Sequence, residues 1–331
     1  MNVFYAFDNN FLPQSATSIC SLCENNKDIE KINIYIASYR ITDDNKLKLK
    51  ELVTSYGRNI EIIELNNLDN YFDFEFDSSG WPPVTLARLL IDKLVPQEVD
   101  KILYLDSDVI VRRNLKKLWN LDMRDKIIGM SIEPTVNIDR RIILGMENYP
   151  YYNAGVMLIN LKKWREKKAC QQIFDFFKGH GGKLFAADQD AINGTLKNDI
   201  YTLSPAYNSY NIYYQYPYKF MKKLMGKIEY VSKNDYDEAI DNPYIVHFLG
   251  EERPWREGNT HKYKNEYKFY LNKTVWKNAK DEQGWKMYFL CWRIFNTLTR
   301  PFPYIRYKII NYLIPKFISY RAKKRKKQTT K

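Results

Sequence analysis

The stretch Ile102-Leu-Tyr-Leu-Asp106-Ser107-Asp108-Val109-Ile110 decides how the rest of the chain is read. Four mostly apolar residues run into two carboxylates spaced i and i+2. On an extended chain, side chains two apart point the same way, so both carboxylates share one side. Like charges at the mouth of a low-dielectric sheet repel, and a divalent cation between them removes that penalty. The alternative is a solvated loop carrying ordinary surface carboxylates. The apolar run before Asp106 favours the cation, because it sets the pair at a strand end.

Upstream, strand-like and helix-like patterns alternate. Val3–Phe7, Ile32–Ala37, Ile60–Leu65 and Ile102–Leu105 are apolar runs. Between them, Leu12–Glu24, Asp43–Tyr56 (with Gly57 as its stop) and residues 84–94 have helical spacing. This order predicts an α/β chain with a mostly parallel central sheet and flanking helices. Ligands of such sheets bind beyond the carboxyl ends of the strands. Asp8 and Asp106–Asp108 stand at such ends and can converge. Downstream, Val156–Asn160 reads as a strand, Leu161–Lys178 as one helix, Tyr201–Tyr218 as loop or edge, and Pro243–Phe248 as a last strand. A composition change near residue 260 divides the chain into 1–260 and 261–331.

The net charge of +13 is not spread over the 331 residues. Residues 286–331 hold thirteen Lys or Arg and no Asp or Glu, which leaves thirty-nine of each sign in the remainder. A neutral body with a cationic tail argues against a nucleic-acid partner, whose footprint is a basic face on the folded domain. It argues for an anionic surface. Within the tail, Trp285, Trp292, Phe295, Phe302, Tyr304, Tyr312, Phe317 and Ile318 alternate with cations, and the chain closes on Lys323-Lys-Arg-Lys-Lys327. Such sequence lies in a membrane interface. Pro301, Pro303 and Pro315 are expected to limit it to short helices. Four cysteines are too few for a disulfide scaffold, so a reducing compartment is expected. No signal-peptide pattern precedes Val3, and no run of eighteen apolar residues occurs.

His247 follows a second apolar run, in Tyr244-Ile-Val-His-Phe-Leu-Gly250. It reads either as a core histidine or as a third ligand, since imidazole with carboxylates suits Mn²⁺ or Mg²⁺. Gly250 lets backbone approach a phosphate, and Arg253 can grip one with two hydrogen bonds. Cys20-Ser-Leu-Cys23 has redox spacing but falls too late in its helix to stabilise a thiolate. His180 and His261 sit in polar stretches and are expected in solvent. Asn208 and Tyr207–Tyr214 border an acceptor pocket or pack an edge.

Taken in order, Ala6-Phe-Asp8-Asn-Asn10, Arg88 in Leu-Ala-Arg-Leu, Asp106-Ser-Asp108, Asn153-Ala-Gly155-Val-Met-Leu-Ile-Asn160, Asp188-Gln189-Asp190 and His247-Phe-Leu-Gly250 with Pro254-Trp255 resemble glycosyltransferase family 8. These are the bacterial galactosyl- and glucosyltransferases of surface glycans. The resemblance spans residues 1 to about 260. It implies a GT-A fold, Mn²⁺ or Mg²⁺, a UDP-hexose donor (UDP-galactose or UDP-glucose, galactose favoured), a glycan acceptor and retention of configuration. It also implies roles. Ala6, Asp8, Asn10, Ser107, Gly250 and Arg253 would meet the nucleotide, and Asp106, Asp108 and His247 the metal. Arg88, Asn153, Ala154, Asp188 and Gln189 would surround the donor sugar, with Gln189, Asp188 and Arg88 at the chemistry. Relatives often carry Lys where Arg253 stands, and a planar fork differs from an ammonium. The site implied is an enzyme's, at the inner face of a bacterial plasma membrane; the competing reading is a non-catalytic nucleotide-sugar module. No carboxylate pair announces a two-step route, so front-face displacement is expected, with a covalent adduct on Gln189 or Asp190 as the outcome that would overturn it.

Overall fold

Alternate residues of strand β1 (Asn2–Asp8) enter two different cores: Val3, Tyr5 and Phe7 one, Phe4 and Ala6 the other. This is the period of two that a strand covered on both faces must show. In the computed structural model, residues 1–65, 71–72, 74–77 and 83–329 are described, with side chains through residue 316. The side chains of Phe317, Ile318 and Lys323–Lys327 therefore lie outside what is described.

After β1 come helix α1 (Leu12–Asn25), β2 (Asn33–Tyr39), helix α2 (Asp43–Ser55), β3 (Asn59–Glu64), β4 (Lys101–Leu105) and β5 (Val109–Val111). The later strands are β6 (Ile128–Ile132), β7 (Tyr152–Asn160), β8 (Ile200–Leu203) and β9 (Ile245–His247). A seven-stranded sheet runs β3-β2-β1-β4-β7-β6-β8, and β5 pairs with β9 in a second, small sheet. All neighbours in the large sheet are parallel except that β7 runs against both β4 and β6. Helices cover both faces, α1 and α2 over one core and residues 161–196 over the other. Thr42 caps α2, with Asn45 N–H donating to its hydroxyl at 3.4 Å, and Gly57 ends that segment at φ +67°.

The reversed β7 positions the site. Because it runs against β4, its first residues lie beside the last residue of β4, and Asp106 N–H donates to Gly155 O at 2.8 Å. The second sheet does the same for His247, which lies opposite Val109, and Phe248 N–H donates to Asp108 O at 2.8 Å. Asn153, Gly155, Asp106, Asp108 and His247 thus reach one rim.

Several sequence expectations need correction. Leu161–Lys178 is two helices, Leu161–Glu166 and Ala169–Gly179, parted at Lys168, whose φ of 52° is left-handed. Residues 83–90 form a 3-10 helix that turns α-helical only at Ile91–Leu94. The segment after Tyr201 is an edge strand followed by short helical turns. The last strand is there but shorter than Pro243–Phe248, running Ile245–His247 in the small sheet. In the tail, Lys286–Thr299 and Pro303–Thr329 are full helices. Pro301 and Pro303 part them, but Pro315 sits inside the second. One exposed proline removes one backbone donor without ending a helix whose other bonds are intact. No described helix is long and apolar enough to cross a membrane. Helix Lys264–Asn272 packs on α1, where Asn25 Nδ2 donates to Tyr270 OH at 2.7 Å.

Candidate active site

Asp106, Asp108 and His247 each aim one ligand atom into a single volume, all within 4.8 Å of one another. His247 Nε2 is 3.3 Å from Asp108 Oδ1 and 3.8 Å from Asp106 Oδ2. The imidazole is 1% exposed. Its Nδ1 donates to Asn208 Oδ1 at 3.0 Å, and Asn208 Nδ2 donates in turn to Asn153 Oδ1 at 2.9 Å. In the neutral ring this puts the proton on Nδ1 and leaves the Nε2 lone pair facing the carboxylates, with no hydrogen-bond partner among the described residues. A buried nitrogen without a partner, facing two carboxylates, is the donor set of a divalent-cation site.

The electrostatics of the three groups are coupled. Burial pulls the His247 pKa down, but Asp108 and then Asp106 more than offset this and hold it above its ordinary value. Burial pushes Asp108 up, while His247 and Arg253 outweigh it and hold the carboxyl below the usual range. Gly155 is what allows the approach. A Cβ there would stand 2.3 Å from His247 Cε1 and 3.0 Å from Asp106 Oδ2, so only glycine fits.

Around this triad Arg88 and Arg140 are neutralised by carboxylates. Arg88 pairs with Asp188 and, at 3.3 Å, with Asp106, and donates to Ala154 O at 3.0 Å. Tyr104 OH donates to Asp106 Oδ1 at 2.6 Å. Burial raises the Asp188 carboxyl to about 6 against the pull of Arg88. Gln189 is held on three sides: Oε1 accepts from Ala154 N–H at 2.9 Å, and Nε2 donates to Tyr151 OH at 3.1 Å and Glu133 Oε2 at 3.2 Å. Asp190 is saturated, with Oδ1 taking Arg140 and Tyr151 and Oδ2 taking Ala186 N–H at 2.8 Å. Asn153 turns both ends of its amide inward, to Gly155 N–H and to Glu133.

The other residues singled out in the sequence lie along the same rim. Ala6 and Asp8 end β1, which pairs in parallel with β4. Asp8 Oδ1 accepts from Asn10 N–H at 3.0 Å and Phe11 N–H at 3.2 Å, capping the short turn Asn9–Phe11. Ser107 is 7% exposed, and its hydroxyl has no partner among the described residues. Gly250 has φ +78°, which an L side chain rarely adopts. Arg253 Nη2 is 3.3 Å from Asp108 Oδ2, with its guanidinium over Phe11 and Trp255.

Glu133, Tyr104, Tyr151 and the His247-orienting role of Asn208 were not found from sequence. The only signal would have been Glu133 following a strand, and that strand, β6, was itself missed. His261 is not in solvent: it packs on Phe248 and Tyr214, and burial lowers its pKa to about 4. His180 is half-buried on Phe176. Cys20 and Cys23 are fully buried free thiols whose pKa burial raises, Cys23 to about 12, which is packing and not redox chemistry.

Comparison with known proteins agrees with this geometry. The sequence profile "Glycosyl transferase family 8" matches residues 2–259. General stress protein A of Bacillus subtilis is 28% identical over 280 residues, 83% of this chain and 94% of that protein. A lipopolysaccharide 1,2-glucosyltransferase of Escherichia coli is 26% identical over 283 residues, covering 84% and 79%. Among solved structures, galactosyltransferase LgtC in complex with donor and acceptor sugar analogs superposes with a TM-score of 0.71 at 23% identity, over 87% of this chain and 99% of that one. An orphan imidazole nitrogen facing two strand-end carboxylates, on a sheet shared with these proteins, is thus the site of a sugar-transferring enzyme with the GT-A fold, and the chain belongs to glycosyltransferase family 8.

Proposed function

We propose that this chain moves a hexose, galactose in preference to glucose, from a UDP-sugar to a hydroxyl of a cell-surface glycan or glycoconjugate, with retention of configuration. The observation that carries the proposal is the convergence of Asp106, Asp108 and the unpartnered His247 Nε2. Mn²⁺ or Mg²⁺ held there would neutralise the charge that collects on departing UDP. Arg253 brings a second positive charge to the same side, and the left-handed Gly250 backbone lets the loop close on a diphosphate. Ala6, Asp8, Asn10 and the unpartnered Ser107 hydroxyl would meet uridine and ribose. Arg88, Asn153, Ala154, Asp188 and Gln189 would bound the sugar.

The surroundings of the carboxylates support a front-face displacement. Asp190 has its lone pairs taken by Arg140, Tyr151 and Ala186 N–H, Asp188 is pinned by Arg88, and Gln189 is an amide. Asp190 thus offers no unoccupied carboxylate oxygen for a glycosyl adduct, and the Gln189 amide is a poor nucleophile. The leaving phosphate oxygen would then take the proton of the acceptor hydroxyl. UDP release from UDP-galactose and UDP-glucose with Mn²⁺, compared with Asp108→Asn, tests the assignment; unaltered release in the variant would refute it.

We also propose that residues 1–260 form the catalytic domain and 261–331 a membrane-associating region, which would set the enzyme at the cytoplasmic face of a bacterial plasma membrane. Met287, Ile294, Leu298, Ile305 and Leu313 are exposed on the two C-terminal helices and Phe302 at the break between them, in a segment rich in lysine and arginine. Apolar and cationic side chains on one exposed element suit an anionic lipid surface.

A further inference from the structure

A cavity of about 340 Å³ lies where the C-terminal helices meet the catalytic body, lined from the body by Asn211, Glu252 and His261 and from the helices by Asn296, Arg300 and Arg306. That volume is at the small end of small-molecule sites, enough for one sugar or headgroup. What sets it apart is its unpaired polar atoms. Arg306 is 1% exposed. Its Nη1 donates to Thr299 Oγ1 at 3.0 Å, while Nε and Nη2 find no acceptor among the described residues. The rings of Tyr216, Trp292 and Phe295 surround the guanidinium at 5.1–5.7 Å and offset part of the cost of burying it. Among them only Tyr216 carries an acceptor, a hydroxyl that interacts with the guanidinium but leaves Nε and Nη2 without a hydrogen bond. A buried cation with two unmet donors and no carboxylate at ion-pair distance among the described residues is an expensive feature unless an anion completes it.

The neighbours extend the pattern. Tyr263 N–H donates to His261 Nδ1 at 3.2 Å, which puts the proton of the neutral ring on Nε2, and that N–H is also unpartnered. Asn211 Oδ1 and Asn296 Oδ1 are buried acceptors without donors. Lys262 adds positive charge at the wall, where Tyr214 offers a ring face. The one acid, Glu252, is tied by Gln215 Nε2 at 2.8 Å, and burial holds it toward its protonated form. Donors for an anion and acceptors for hydroxyls therefore share one small volume. We propose that this cavity binds a phosphate monoester carried on a small polyhydroxyl body, with Arg306 and His261 Nε2–H on the phosphate and Asn211 and Asn296 on the hydroxyls. A planar guanidinium presenting two adjacent donors matches two phosphate oxygens. The phosphate could belong to a lipid headgroup or to a phosphorylated glycan. The loop that carries Glu252 into the cavity also carries Arg253 to Asp108, so an occupant would lie one loop away from the metal ligands.

The test titrates the full chain with sn-glycerol 3-phosphate in EDTA, followed by calorimetry, so that no metal-bound phosphate contributes. Saturable 1:1 binding is expected, weakened at least tenfold in Arg306→Gln and less in Arg306→Lys. Asn296→Phe, which puts a ring into the cavity and leaves Arg306 in place, should also abolish binding; its melting temperature reports folding independently of Arg306. Asp108→Asn should bind the probe as the native chain does, so failure of the transferase reading and failure of this one remain distinct. Flotation with vesicles containing phosphatidylinositol 4-phosphate, whose headgroup carries a phosphate monoester on a polyhydroxyl ring, separates the sources: binding lowered by Arg306→Gln points to a headgroup, and binding unchanged while the glycerol phosphate site is lost points to a phosphorylated glycan. No binding of the probe by the native chain, or equal binding by Arg306→Gln and Asn296→Phe, overturns the proposal.

Discussion

The strand-end rim and the C-terminal helix pair handle buried charge in opposite ways. At the rim, each of three arginines meets an opposite charge: Arg88 meets Asp188 and Asp106, Arg253 meets Asp108, and Arg140 meets Asp190. His247 Nε2 is left without a hydrogen bond among the described residues, and it faces both carboxylates. In the helix pair, Arg306 is buried with no such counter-ion, while Leu298 and Met287 face outward at 67% and 68% exposure. The first region is preorganised, with its strain concentrated where a cation would sit. The second lacks, among the described residues, an anion at ion-pair distance from its buried cation. The contrast teaches where function can be read: in the first case from what is paired, in the second from what is not.

The largest expected effect breaks the rim. Asp108→Asn removes a ligand charge, and UDP release with Mn²⁺ should fall by at least about 10²–10³-fold, with folding intact by circular dichroism. Gly155→Ala is next, since its methyl cannot coexist with His247 Cε1. Overpacking of this kind costs about 1–3 kcal/mol, measurable by urea denaturation, and Mn²⁺ affinity should drop with it. Asn208→Ala leaves both carboxylates and the imidazole in place but frees the ring, and a loss of about 10–100-fold in Mn²⁺ affinity is expected by electron paramagnetic resonance.

A pH series sharpens the contrast. Without metal, the folded His247 holds its proton above the ordinary value of 6.5. Its contribution to stability is therefore full below about 6.5 and is lost as pH rises through the raised folded value. Mn²⁺ competes for the same nitrogen and needs it deprotonated, so the metal-bound protein should gain stability over that window. Melting temperatures in EDTA and in Mn²⁺ should diverge as pH increases; parallel curves would mean that His247 is not a ligand. The smallest effect concerns the helix pair. Raising salt from about 0.1 M to about 1 M shortens screening from about 10 Å to about 3 Å. Flotation with anionic vesicles should weaken but not vanish, because the exposed apolar side chains are insensitive to salt.

The rim was legible wherever neighbours in sequence are neighbours in space. An apolar run ending in two carboxylates at i and i+2 can be read along one strand, and β1 to β4 followed from periodicity. Asn208 was read only as a border residue, because its partner His247 lies 39 positions away. Glu133 was missed because its partners Asn153 and Gln189 lie 20 and 56 positions away. Strand β6, Ile-Gly-Met-Ser-Ile, is short and interrupted by Gly129, so its buried pattern did not stand out. The break at Lys168 had no glycine to announce a left-handed residue. Arg306 looked like one more cation of a basic tail, since burial between two helices and Tyr216 is a tertiary fact.

The whole reading rests on one imidazole sharing a cation with two strand-end carboxylates. Electron paramagnetic resonance of Mn²⁺ with ¹⁵N-histidine-labelled protein tests that directly. The account predicts a ¹⁵N hyperfine coupling to bound Mn²⁺ that disappears in His247→Ala and survives in His180→Ala and His261→Ala. Bound Mn²⁺ with no nitrogen coupling, or a coupling untouched by His247→Ala, would contradict it.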